Sequence, residues 1–110
     1  MYPKLVREIK QTLDDHKVEE IELINLKGIS SYTDYYLIGT VINERQLLSM
    51  KDYIEEAAIK AKGELIRTDG NGDSGWMIFD CGDVIVHLFL KTVREEINLP
   101  GLIQKIANKK

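Results

Sequence analysis

The stretch Trp76-Met77-Ile78-Phe79-Asp80-Cys81-Gly82-Asp83-Val84-Ile85-Val86-His87-Leu88-Phe89-Leu90 decides the fold. It holds two apolar, β-branched and aromatic runs, Trp76 to Asp80 and Asp83 to Leu90, on either side of a short polar break. Such runs read as strands, and Cys81-Gly82 between them as a tight turn. Within the second run, alternation puts Val84, Val86, Leu88 and Leu90 on one face and Ile85, His87 and Phe89 on the other.

Working outward, Tyr35 to Ile42 is a nearly continuous apolar run and reads as a central strand buried on both faces. Ile21, Leu23, Ile24 and Leu26 form a short strand ending at Lys27-Gly28, and Glu64 to Thr68 forms another. Two helices are predicted by apolar residues at helical spacing. The first runs from Pro3, suited to a first helical turn, to about Lys17, with Leu5, Val6, Ile9 and Leu13 on one side. The second follows Asn43 and Gln46, three residues apart as in a capping box, and carries Leu47, Met50, Ile54, Ala57, Ala58 and Ala61. Gly63 is placed to end it in the left-handed conformation. The tail is predicted helical from about Thr92 and interrupted at Pro100-Gly101. The order α-β-β-α-β-β-β-α gives an α+β domain, a mixed five-stranded sheet with helices packed on it.

Composition narrows the function. A chain of 110 residues has the size of one domain, here 1–110, and its 44% hydrophobic and 30% charged content is that of a folded protein. The net charge of -3 supplies no cationic excess for bare nucleic acid, and a mildly acidic domain suits a basic partner better. One cysteine, Cys81, leaves no intramolecular disulfide, and no Cys/His cluster has zinc spacing. The first residues alternate charge and apolarity too quickly for a signal peptide, and no apolar run reaches the roughly 18 residues of a bilayer span. A cytoplasmic protein without a membrane segment is expected.

Each group with possible chemistry has a plainer reading. Asp69, Asn71, Asp73 and Asp80 imitate part of an EF-hand loop, but Ser74 replaces the turn glycine and strands flank it, so a hairpin loop with Asn-Gly chemistry is preferred. The loop glycines lack the Gly-Lys-Ser/Thr of a phosphate loop. Asp80 and Asp83 beside Cys81 would raise a thiol pKa rather than activate it. His87, with two apolar neighbours on its face, reads as a hydrogen-bonded structural residue, and His16 as favouring the negative end of the first helix. Ser30, Ser31 and Asp34 before a buried strand resemble the metal site of nucleotidyltransferases, but Tyr36 stands in place of the second carboxylate. Trp76 reads equally as core or as an exposed interface anchor.

Taken together, Ser31-x-x-Asp34-Tyr35-Tyr36-Leu37-Ile38, then Glu44-Arg45-Gln46, then Gly75-Trp76, then Asp80 to Phe89, with Arg94-Glu95 and Asn98-Leu99, resemble the Iojap family, the bacterial ribosome silencing factors. The resemblance runs in order over nearly the whole chain, and the Asp-x-Gly-Asp-Val-x-Val-His-x-Phe string carries most of it. It implies a nucleotidyltransferase-like fold without transferase activity or cofactor. It also implies binding to large-subunit ribosomal protein fourteen (uL14) at the intersubunit face, which blocks joining of the small subunit and represses translation when nutrients are short. A homodimer in the free protein is implied as well. The motif positions carried over to the partner-binding face are Trp76, Asp80, Asp83 and His87, together with Tyr35. The chain departs from the family at Ile97, Pro100-Gly101 and Ile103, so contacts that relatives make through that tail are not carried over. A nucleotide-binding enzyme using Asp34 with Asp80 or Asp83 is the alternative, and a homodimeric scaffold for another client is a third reading.

Overall fold

A computed structural model describes residues 2–96 of the chain. The elements are α1 (Lys4–Asp15), β1 (Glu19–Asn25), β2 (Tyr35–Val41), α2 (Glu44–Lys60), β3 (Arg67–Asn71), β4 (Trp76–Asp80), β5 (Val84–Leu90) and α3 (Lys91–Glu96). The expected α+β fold class and element order are those observed. Five strands form one mixed sheet in the order β1-β2-β5-β4-β3. Its centre is the parallel pair of β2 and β5, in register from Tyr35 opposite Val84 to Val41 opposite Leu90, and every other pairing is antiparallel. The predicted tail features at Ile97, Pro100, Gly101 and Ile103 lie outside the described residues.

Alternation of the strands sorts side chains between two unequal faces. Leu37, Val41, Met77, Phe79, Val84, Val86 and Leu88 join the main core. They pack beneath the apolar stripes of α1 (Val6, Ile9, Leu13) and α2 (Leu47, Met50, Ile54, Ala57, Ala58). On the reverse side Ile38 and Phe89 form a smaller core, with Ile24, Tyr36, Trp76 and Val93 half-buried around it. Among the described residues, α3 is the helix that meets this second face, and it covers one end of it. It is pinned there by Arg94, whose Nη1 donates to Glu20 O at 2.7 Å and Thr40 Oγ1 at 2.8 Å, while Nη2 lies 3.2 Å from Glu22 Oε1.

The capping prediction at α2 holds with one shift. Asn43 Oδ1 accepts from Gln46 N–H at 2.8 Å, and Gln46 Oε1 accepts from Ile42 N–H, one residue before the cap, at 2.8 Å. The end of α2 differs from expectation. Lys62, not Gly63, takes the left-handed conformation (φ 63°), and Gly63 N–H closes the helix on Ala58 O at 2.7 Å. A Cβ on Gly63 would come within 3.2 Å of Leu5 Cδ1, so that glycine serves the approach of α1 instead. The tight turn also moves by one residue. Cys81 N–H bonds Val84 O at 3.0 Å, so Gly82-Asp83 are the two loop residues, with Gly82 at φ 86° as the first position of a type II′ turn requires.

The third strand lies later than predicted, at Arg67–Asn71 in place of Glu64 to Thr68, because the loop before Trp76 is shorter than its composition suggested. Asn71 Oδ1 accepts from Ser74 N–H at 2.8 Å, a side-chain bond that closes the bend from Asn71 to Trp76. Gly70 sits in this strand at φ 85°, and a Cβ there would run into the carbonyl oxygen of Trp76. Gly70→Ala is therefore expected to cost about 2–4 kcal/mol, from left-handed strain and a backbone clash. Urea denaturation checks this, and a midpoint unchanged from that of the original chain would contradict it.

Candidate partner-binding face

The sheet face turned away from α1 and α2 collects most of the sequence-predicted site residues. Strand register arranges it in three rows. One row runs Ile24, Tyr36, Ile85, Asp80 and Arg67. The next runs Glu22, Ile38, His87, Ile78 and Asp69, and the last crosses Thr40, Phe89, Trp76 and Asn71. The middle is apolar and aromatic, and charge is kept to the sheet edges and to the β4–β5 turn.

Trp76 is half-buried, a position between the core and the exposed readings of the sequence. One side of the indole stacks on Phe89, with centroids 5.1 Å apart and planes 30° apart. Such a pair is worth about 0.5–1.5 kcal/mol beyond the area it buries. Its Nε1–H donates to His87 Nδ1 at 3.3 Å. His87 is 5% exposed, with Tyr36 against its ring at 4.6 Å. The hydrogen-bonded structural histidine expected from the sequence is thus found, and its partner is the tryptophan. With Nδ1 accepting, the neutral imidazole carries its proton on Nε2. Among the described residues that buried atom has no hydrogen-bond partner, a deficit of about 1–3 kcal/mol.

Asp80 belongs to the same face at its turn end, where its Oδ1 accepts from Gly82 N–H at 2.9 Å. Asp83 is exposed in the turn, and its carbonyl accepts the N–H groups of Asp34 and Tyr35, both at 3.1 Å. Asp34, Asp80 and Asp83 therefore gather at one end of the sheet. No group of three or more His, Cys, Asp or Glu side chains arranged to hold a metal occurs among the described residues. The structure does not bring Tyr35 to this face. Its ring is 4% exposed in the helix-side core, edge-on to Tyr2 at 5.7 Å, with Lys27 Nζ 5.6 Å from its centre. The neighbouring Tyr36 occupies the face instead, with Ile78 and Ile85, none of which was among the expected partner-binding residues.

Cys81 is buried in the main core at the strand end, and its thiol is pushed up to about 12, first by burial and then by Asp80. The expected direction holds, but burial outweighs the acidic neighbours. His16 caps the end of α1 and stacks on Tyr53 at 3.7 Å. Among the described residues, no helix is long and apolar enough to cross a membrane.

Fold and face together define a small α+β domain with a sheet surface centred on an indole–imidazole pair. Comparison with known proteins gives the class a family. A family profile described as "Ribosomal silencing factor during starvation" matches residues 1–109. The chain is 34% identical over 90 residues to a ribosomal silencing factor of Halalkalibacterium halodurans, covering 82% of this chain and 77% of that one. It is 33% identical to a ribosomal silencing factor of Haemophilus influenzae, covering 89% of this chain and 96% of the relative. A crystal structure of a Bacillus halodurans protein superposes with a TM-score of 0.79 at 32% identity, over 92% of this chain and 94% of that one. A Chromobacterium violaceum structure, 21% identical, shares the fold with a TM-score of 0.84 over 94% and 88%. The chain belongs to the ribosomal silencing factor family, which is described by a regulatory, silencing role.

Burial lowers the His87 pKa from 6.5 to about 4. The unfolded chain then takes up a proton near pH 6.5 that the folded protein refuses, so stability is full above that pH and is lost as pH falls towards 4. Between pH 7.5 and 4.5 this group should account for about 2–3 kcal/mol of lost stability. Urea unfolding of His87→Leu at both values should show a pH dependence smaller by that amount. An identical pH dependence in the variant would contradict the assignment.

Proposed function

We propose that this chain represses translation by binding the large ribosomal subunit through large-subunit ribosomal protein fourteen at the intersubunit face, where its bulk blocks joining of the small subunit. Family membership sets the ribosomal context. The observation that carries the reading is the sheet face on which half-buried Trp76, Tyr36, Ile78 and Ile85 lie together. Aromatic anchors in an apolar centre with charge at the rim are the composition of a protein interface. The mechanism is steric and needs affinity rather than a chemical step, so no cofactor or metal enters it.

The acidic groups around the face favour a basic partner. Asp34, Asp80 and Asp83 stand at the turn end, and Glu20 and Glu22 lie along the β1 edge, the latter two engaged by Arg94. Rim charges of this kind steer association and make it salt-dependent more than they add affinity. Within the face, Trp76 is the anchor, Asp80 and Asp83 supply the acidic rim, and His87 supports from within, while Tyr35 lies in the core on the other side of the sheet. In the free cytoplasmic protein the same face is proposed to pair two copies as a homodimer, so a second copy and the ribosomal protein compete for it.

The test combines binding to purified ribosomal protein fourteen with a subunit-joining assay. The original chain should bind and lower the monosome fraction, and added ribosomal protein should break up the homodimer. Trp76→Ala should weaken binding at least about 30-fold, a hot-spot loss of about 2 kcal/mol or more. Leu48→Glu, a change at a 50% exposed position on α2, should leave binding unaltered. Subunit joining unchanged at saturating protein would refute the proposal.

A further inference from the structure

We infer that His87 is a positioning residue, whose Nδ1 fixes the indole of Trp76 in the orientation a partner meets. The inference rests on the reading of Trp76 as the anchor of the proposed interface. It begins from what stacking cannot do. Phe89 supports one side of the indole, but a stacked ring can still slide and turn over an apolar neighbour. The directional contact is the Nε1–H to Nδ1 hydrogen bond of 3.3 Å, which ties the ring edge to a fixed point in the sheet. That point does not move readily. His87 is held on β5 between β2 and β4, opposite Ile38 and Ile78, with the Tyr36 ring tilted 54° against it.

Two further observations separate positioning from packing and from direct contact. If His87 served packing alone, an apolar side chain of similar bulk would do better, because it would bury no donor. The imidazole instead carries an Nε2–H without a partner among the described residues, and its one recorded hydrogen bond goes to the indole. The fold thus tolerates a buried polar deficit whose one polar return is the Trp76 hydrogen bond, the pattern expected where stability is exchanged for function. Direct contact is equally disfavoured, since the residue is 5% exposed and its Nε2 is out of reach of solvent. Its influence must run through the half-buried ring above it.

Trp76 is the only tryptophan of the chain, so its fluorescence reports the arrangement without labelling. The experiment compares the full chain with His87→Leu, which removes the acceptor, and His87→Asn, which returns one near the position of Nδ1. Melting temperature, acrylamide quenching, indole anisotropy and affinity for purified large subunits are measured for each. His87→Leu should melt no lower than the original, show about twofold greater quenching and faster local motion of the indole, and bind about tenfold more weakly. His87→Asn should recover most of the anisotropy and bind within about threefold of the original. A merely structural role would leave both the indole signal of the folded protein and the affinity of His87→Leu unchanged, whatever its melting temperature, and that result would overturn the inference. Weaker binding with an unaltered indole signal would also overturn it, since the effect would not run through Trp76. Should the original chain fail to bind large subunits, the ribosomal reading falls, while the fluorescence arm still decides whether His87 holds the indole.

Discussion

The parallel ladder between β2 and β5 is the constraint on which the rest of the structure depends. A parallel pair cannot be closed by a short turn, so the chain must leave β2, cross through α2 and return by way of β3 and β4 before β5 is laid down. Its seven-residue register places both strands at the sheet centre, with β1 added outside one and the β3–β4 hairpin outside the other. Everything on the reverse face follows from it. Ile38 stands opposite His87 and Tyr36 opposite Ile85, while the β4–β5 pairing brings Trp76 opposite Phe89.

Among the described residues, two helices on one side and a single turn-and-a-half of helix on the other make the sheet asymmetric. The helix side holds, among the described residues, the eighteen buried residues of the main cluster and has the close packing of a domain interior. The other side buries Ile38 and Phe89 completely but leaves its aromatic layer half-covered. Arg94 closes one end of that layer by joining α3 to the β1 edge, and the turn end remains acidic. A surface divided in this way has a buried floor, a half-buried aromatic layer and a charged rim, the composition of a protein interface. Membership of the ribosomal silencing factor family agrees with that division.

How much was legible in the sequence depended on whether a pattern carries phase. The two strands of the Trp76–Leu90 hairpin alternate around polar markers, so the faces of β5 were readable and His87 was placed correctly beside Phe89. The run from Tyr35 to Ile42 is apolar at nearly every position. It announces a buried strand but hides which residues share a face. Pairing with Val84 resolves the phase, and it sends Tyr35 to the helices and Tyr36 to the reverse side. The third strand was hidden for another reason: Arg67-Thr68-Asp69-Gly70-Asn71 has turn composition and is extended because β4 pairs with it. The hydrogen bond between Trp76 and His87 joins residues eleven positions apart, through a register that no local motif displays.

The central claim is that the face opposite α1 and α2 is where the protein meets its partner. Isoleucine δ-methyl NMR reads this directly, because these residues are divided between the two sides. Ile78 and Ile85 report the proposed face, while Ile9 and Ile54 lie buried beneath the helices. On titration with purified ribosomal protein fourteen, the resonances of Ile78 and Ile85 should shift or broaden first and most, and those of Ile9 and Ile54 should hold their positions. Perturbation confined to the helix side, with Ile78 and Ile85 unmoved at saturation, would contradict the account.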